Sequence, residues 1–169
     1  GPPRPLPCRR GVMFTWVEPG VGAPVLEAGA GTGSPGEILT ALGYANIDGV
    51  DASAGMLALA AKKDLYRELK FGVLGERLEY EDNSYAGATA SGVYTEGHAP
   101  LSSLEELARV VQPGGYIVFS VARIYLGEQI EAQAKQLADA GKWRHAGTSG
   151  RSDSTPFDDK ENMAQIYPL

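Results

Sequence analysis

Glu27-Ala28-Gly29-Ala30-Gly31-Thr32-Gly33 is the stretch that decides the fold. The apolar residues Val25-Leu26 precede it, and Ser34-Pro35-Gly36-Glu37 follow. Val25-Leu26-Glu27 reads as a short strand. Ser34 reads as a helix N-cap, Pro35 as the first helical residue and Glu37 as the far side of a capping box. Strand, glycine loop and helix in that order open many nucleotide-binding α/β sheets, because glycine lets the backbone approach a ligand closely.

Two fingerprints overlap in this loop. Gly31-Thr32-Gly33-Ser34-Pro35-Gly36 fits the G-x-G-x-x-G pattern of dinucleotide sites. The run from Glu27 to Gly33 fits the acid-x-G-x-G-x-G loop of class I methyltransferases. Electrostatics separates them. A pyrophosphate seated on the helix N-terminus would be repelled by a carboxylate at the end of the strand. The ammonium and sulfonium of S-adenosylmethionine would be attracted to it, directly or through a water. A glycine turn without ligand is the remaining alternative. Asp51 weighs against it, since it stands about twenty residues further on, where an acid accepts hydrogen bonds from ribose hydroxyls. Asp51 could instead be a plain helix N-cap. Ala52 and Met56 are candidates to wall the adenine, with a core helix position as the other reading of Met56.

Outward from the loop, strands and helices alternate. The first helix runs to about Leu42 and ends at Gly43. Asn46-Ile47-Asp48-Gly49-Val50-Asp51 reads as a second strand. A helix from Ser53 puts Met56, Leu57, Ala60 and Ala61 on one face. Leu69-Lys70-Phe71-Gly72-Val73-Leu74 reads as a third strand. Residues 79–84 form a polar turn, and residues 85–91 a fourth strand weakened by Ala and Gly. From Ser102 a helix places Leu104, Leu107, Ala108 and Val111 at helical spacing, with capping boxes Ser102/Glu105 and Ser103/Glu106. Gln112-Pro113-Gly114-Gly115 stops it. Tyr116-Ile117-Val118-Phe119-Ser120-Val121 is a continuous apolar strand of the buried parallel type. A last helix covers about residues 127–140, with Ile130, Ala134, Leu137 and Ala138 inward and a Glu131/Lys135 pair outside. Two final strands are expected at 143–146 and 163–167. This alternation predicts an α/β fold: a mostly parallel sheet with helices on both faces.

The chain has 169 residues, enough for one domain over residues 24–169, preceded by a flexible Pro/Arg-rich arm at 1–23. Its net charge is −6. Residues 1–20 carry about +2, leaving about −8 for the rest. That balance argues against nucleic acid as the main partner, because phosphate binding leaves a basic footprint. No apolar stretch is long enough to cross a bilayer. The single cysteine, Cys8, makes neither an internal disulfide nor a metal cluster. It points to a reducing home, the cytoplasm, with the nucleus as the alternative.

Together, Val25 to Gly33, Asp48-Gly49-Val50-Asp51-Ala52-Ser53-Ala54-Gly55-Met56-Leu57 and Val110-Val111-Gln112-Pro113-Gly114-Gly115 resemble the class I S-adenosylmethionine-dependent methyltransferases. A closer likeness to one subgroup rests on Leu65-Tyr66-Arg67-Glu68-Leu69, Leu74-Gly75 and Gly92-Val93-Tyr94-Thr95-Glu96-Gly97-His98. The resemblance implies a Rossmann-like, seven-stranded sheet whose last strand is antiparallel, with S-adenosyl-L-methionine at the carboxyl ends of the first strands. It implies Glu27, Gly29, Ala30 and Gly31 at the methionyl part and Asp51 at the ribose. It also implies Ala52, Val73 and Leu74 at the adenine, and Ser91 and Gly92 beside the sulfonium. The chain departs from the family in having no Asp near Val73. It has Tyr85-Ala86 where an aromatic-Asp pair is usual, and residues 1–23 lack the Tyr-Asp/Trp-Ala/Tyr-Asp pattern of the family's N-terminal lid.

Methyl transfer from a sulfonium needs alignment more than a universal catalytic residue. An acceptor that must lose a proton wants a base nearby. His98 and Glu96 are the candidates, with Tyr94 and Arg123 as acceptor-pocket residues; an exposed loop position is the other reading of each. His145 reads as structural. No Asn/Asp-Pro-Pro-aromatic run follows the fourth strand, so the partner is an unidentified methyl acceptor. Two further readings stand beside this one: a degenerate methyltransferase fold serving as a non-catalytic binding module, and an NAD-dependent oxidoreductase.

Overall fold

Short runs of residues buried on both faces build the sheet. The computed structural model describes residues 24–95, 97–145, 147–148, 152–153 and 161–168, with the backbone alone at 122–127 and from 147 onward. Strands β1 (Val25–Ala28), β2 (Ile47–Asp51), β3 (Glu68–Phe71), β4 (Tyr85–Tyr94) and β5 (Val111–Ala122) run parallel in the order β3-β2-β1-β4-β5. Strand β8 (Glu161–Pro168) pairs antiparallel with β5. Two-residue strands β6 (Gly147–Thr148) and β7 (Ser152–Asp153) pair with β8. The expected seven strands are thus corrected to five parallel ones, flanked by β8 and two stubs. Strand order reverses between β1 and β4, the place where open α/β sheets bind ligands.

Helices α1 (Ser34–Ala41), α2 (Ala54–Ala61), α3 (Ser103–Val110) and α4 (Arg123–Asp139) connect the strands. One sheet face packs Leu26, Ala28, Ala88, Ala90, Ile117 and Phe119 against Leu104 and Leu107 of α3 and Ile130, Ala134 and Leu137 of α4. The other packs Val25 and Ile47 against Leu39 of α1 and Tyr44. Each fully buried Leu, Ile, Val or Phe side chain among them contributes roughly 1.5–3 kcal/mol.

Several local expectations are corrected. The N-cap of α1 is Gly33, in the left-handed region, and Ser34 lies inside the helix with no capping bond. Glu37 pairs with Lys63 instead. Ser103 and Glu106 do not form a capping box: Ser103 Oγ meets Tyr94 Oη at 2.8 Å, and Glu106 accepts from the Leu78 amide and pairs with Arg109. Strand β4 runs on to Tyr94, although it is rich in Ala and Gly. It lies between two parallel neighbours, where ladder bonds and small side chains under packed helices outweigh propensity. Gln112-Pro113-Gly114-Gly115 is absorbed as a bulge, since Tyr85 pairs Val111 while Gly87 pairs Tyr116. Helix α4 starts at Arg123, Ala138 is exposed, and Lys135 pairs with Asp139 rather than Glu131. In α2 only Ala60 is buried, so its expected apolar face is largely open. Trp143 is no strand residue: it stacks on Phe119 and donates to the Ala134 carbonyl. The expected arm at 1–23 lies outside the described residues. Among the described residues, no helix is long and apolar enough to cross a membrane.

Candidate functional site

The carboxyl ends of β1, β2 and β4 meet at the switch point, and the loop after β1 lies between them. Gly29 and Ala30 donate to the Val50 carbonyl, which ties the loop to β2. Gly29 has φ +81°, and a Cβ there would come within 2.2 Å of Val93 Cγ1. Gly31 has φ +54° and open space where a Cβ would stand. The first glycine is therefore required by packing against β4, and the second leaves a bare backbone beside an open volume. Ala30 is fully buried, so it can offer a ligand only its backbone.

Asp51 ends β2. Its Oδ2 accepts from the Gly31 amide and its Oδ1 from the Ser53 amide, both at 2.8 Å. Ser53, not Asp51, caps α2, accepting from the Met56 amide. The plain N-cap alternative for Asp51 is thereby removed. Each carboxylate oxygen keeps further lone-pair capacity for ribose hydroxyls. Around the start of α2, Ala52 is exposed and Met56 is 43% exposed; after β3, Val73 is 38% exposed and Leu74 half-buried. Met56 is not a core residue. Val73 and Leu74 lie past the end of β3, in a turn closed by a bridge between Leu74 and Glu76. Ser91 is half-buried and Gly92 exposed, in the irregular stretch of β4 between Ala90 and Tyr94. Ser120, at the end of β5, accepts from the Gly92 amide at 2.8 Å and holds this stretch in place.

Glu27 carries the electrostatics. Its side chain is 1% exposed. Tyr66 donates to Oε2 at 2.6 Å. Oε1 is buried without a hydrogen-bond partner. Its register neighbour on β4, Thr89, has a buried hydroxyl in the same condition. Gly49, the neighbour on β2, leaves room for Leu69 and the edge of the Tyr66 ring. Burial pushes the Glu27 carboxyl up to about 8. The Tyr66 hydrogen bond and Lys63 oppose the rise and Asp51 adds to it. Sequence reasoning missed Tyr66, Thr89 and Ser120. Tyr66 had a signal, since it lies in a segment shared with the resembling subgroup, but nothing local tied it to β1.

Of the acceptor-side candidates, His98 is exposed beyond β4, with Nδ1 2.7 Å from Thr95 Oγ1. Tyr94 is corrected: it is fully buried, packs edge-on against Phe119 and meets Ser103, so it lines no acceptor pocket. Arg123 begins α4, and His145 is exposed. Glu96 lies outside the described residues. Among the described residues no group of three or more His, Cys, Asp or Glu is placed to hold a metal.

A methyltransferase-domain family model matches residues 26–119. Human methyltransferase-like protein 27 is 31% identical over 124 residues, covering 70% of this chain and 50% of that protein. The chain thus spans about half the length of this curated relative. An S-adenosylmethionine-dependent methyltransferase of Methanosarcina mazei superposes with a TM-score of 0.72 at 16% identity, covering 96% of this chain and 98% of the other. A methyltransferase of Haloferax volcanii, solved in complex with the Trm112 activator, gives 0.69 at 20% identity, covering 93% and 88%. These two likenesses concern the fold. With the family model over more than half its length, the chain belongs to the S-adenosylmethionine-dependent methyltransferase family.

Proposed function

We propose that this chain transfers the methyl group of S-adenosylmethionine to an acceptor held over the carboxyl ends of β4 and β5. The observation that carries this reading is the buried Glu27 carboxyl, with one oxygen lacking a partner, directly before a bare glycine loop. The residues present suit the cofactor. An orphaned carboxyl oxygen suits the methionyl ammonium, the open side of Gly31 suits a close backbone approach, and Asp51 suits two ribose hydroxyls.

When bound, the cofactor supplies an electrophilic methyl on sulfur. The chain's own residues bind and orient. Glu27 neutralises the ammonium. Asp51 fixes the ribose while bracing the loop through the Gly31 amide. Ala52, Met56, Val73 and Leu74 offer apolar surface for the adenine, with backbone groups in place of an adenine-binding Asp. Gly29, Ala30 and Gly31 present backbone to the methionyl part, and Ser91 and Gly92, held by Ser120, border the sulfur. His98 takes the proton of an acceptor that has one to lose, with Thr95 orienting its ring. Glu96 shares that role in this reading.

Calorimetric titration of the chain with S-adenosylhomocysteine, S-adenosylmethionine and NAD tests the reading. Binding of the first two and not the third is the expected result. Binding of none supports the non-catalytic binding module, and NAD alone the oxidoreductase.

A further inference from the structure

The polar row beneath the glycine loop contains a group that cofactor binding by itself does not require. Across the sheet, Leu69, Gly49, Glu27, Thr89 and Val118 stand in register on β3, β2, β1, β4 and β5. Into the gap left by Gly49 come the Leu69 side chain and, from the segment between α2 and β3, the edge of the Tyr66 ring. The same ring lies under α1, where a Cβ on Gly36 would reach its hydroxyl at 2.3 Å and a Cβ on Gly33 would stand 3.3 Å away. Three glycines thus make room for one phenol, and its hydroxyl ends 2.6 Å from Glu27 Oε2.

We propose that Tyr66 is a positioning residue for Glu27: it holds a carboxyl that is neutral in the empty site and ionised in the loaded one, so that cofactor capture expels a proton. This rests on the reading that the site takes S-adenosylmethionine. The exchange balances. The O–H bond of Glu27 breaks, its proton leaves to solvent, and the methionyl ammonium replaces it as counter-charge without any covalent bond forming.

Three observations support the neutral empty state. The Glu27 side chain is buried, and an unpaired buried carboxylate is costly. Neither of its oxygens has a cationic hydrogen-bond partner among the described residues. The charged groups around it also do not favour ionisation on balance. From β2, Asp51 disfavours the anion. The cation nearby, Lys63 at the end of α2, is 2.8 Å from Glu37 of α1, which neutralises it. From β4 comes only Thr89, which does not titrate. Tyr66 itself stays protonated, because burial and the Glu27 charge push its phenol upward. It is therefore a permanent donor, and a donor favours the carboxylate. Its effect is to bring the carboxyl within reach of ionisation near neutral pH.

The test is isothermal titration of the full chain with S-adenosylhomocysteine at pH 6, 7 and 8, in buffers of differing ionisation enthalpy. The wild type should release about one proton per ligand at pH 6 and 7, with affinity rising by up to about tenfold per pH step. Tyr66→Phe keeps the ring but removes the donor. It should weaken binding about tenfold at pH 7 and move the affinity profile to higher pH. A purely structural ring would weaken binding but leave proton release at pH 8 at the wild-type level, whereas loss of the donor should raise that release toward one. Glu27→Gln should release no proton and give a flat profile, which keeps the proposal testable if the tyrosine variant folds poorly. Wild-type binding with a flat profile and no proton release overturns this inference and leaves the methyltransferase reading intact. Absence of binding at every pH overturns both.

Discussion

Replacing Glu27 by Gln in the cofactor-free protein should remove a pH-dependent weakness from the fold. The carboxyl lies at about 8 in the folded chain against an ordinary 4.5, chiefly because burial disfavours its charge. Below pH 4.5 the group is protonated in both folded and unfolded chains, and the folded state keeps its full stability. Between 4.5 and about 8 the unfolded chain gives up the proton and the folded chain keeps it. The folded state then binds more protons, so stability falls as pH rises. At about 1.4 kcal/mol per pH step, the loss is about 3 kcal/mol between pH 5 and 7 and reaches a ceiling of roughly 4–5 kcal/mol above pH 8. Gln keeps the shape and the acceptor for Tyr66 and has nothing to titrate. Its unpaired amide adds a cost of about 1–2 kcal/mol that does not vary with pH. Urea unfolding followed by circular dichroism at pH 5, 6, 7 and 8 gives both stability curves. The wild type should lose stability relative to Glu27→Gln at each step upward. Curves that stay parallel within about 0.5 kcal/mol would show that Glu27 titrates normally, and the electrostatic account of the site would fail.

Asp51→Ala should weaken S-adenosylhomocysteine binding by about 1.5–3 kcal/mol, the worth of hydrogen bonds to a charged group. Because Asp51 also holds the Gly31 and Ser53 amides, the apparent Tm should drop as well; unchanged affinity in calorimetry removes Asp51 from the ribose. Gly31→Val should abolish binding while circular dichroism keeps its native shape, since the side chain meets open space in the cofactor-free fold; the left-handed φ of +54° strains a β-branched residue, so the apparent Tm should fall by the equivalent of about 1–3 kcal/mol. Normal binding by that variant means the loop is misassigned. Arg67→Ala leaves Asp48, which is fully buried, with Tyr85 as its remaining donor. It should cost about 2–4 kcal/mol in urea unfolding, below the full price of a broken buried pair because Arg67 is half exposed. Cofactor affinity should hold, because this pair sits at the amino ends of β2 and β3.

Local periodicity and turn chemistry made most of the architecture legible. The β1 strand and its glycine loop, β2 ending on Asp51, the apolar run in β5 and the amphipathic α3 were all readable, because each is set by residues close in sequence. Errors gathered where a side chain chose a distant partner over a local one. Ser103 took Tyr94 and Glu106 took Leu78 and Arg109 instead of forming a cap. Strand β4 held despite its composition, because its neighbours on both sides supply the bonds. Tyr94 read as a loop residue and is in the core.

The sequence alone determined the kind of ligand loop this is: glycine spacing and an acid at the strand end dictate backbone approach and charge, and both are local properties. Only the tertiary structure decided the state of that acid. Whether Glu27 is solvated, paired or buried depends on Tyr66, Thr89 and Asp51, which lie 39, 62 and 24 residues away and meet it only when the strands register. A carboxyl's proton affinity follows from the dielectric and the partners around it, and those come from packing across the sheet.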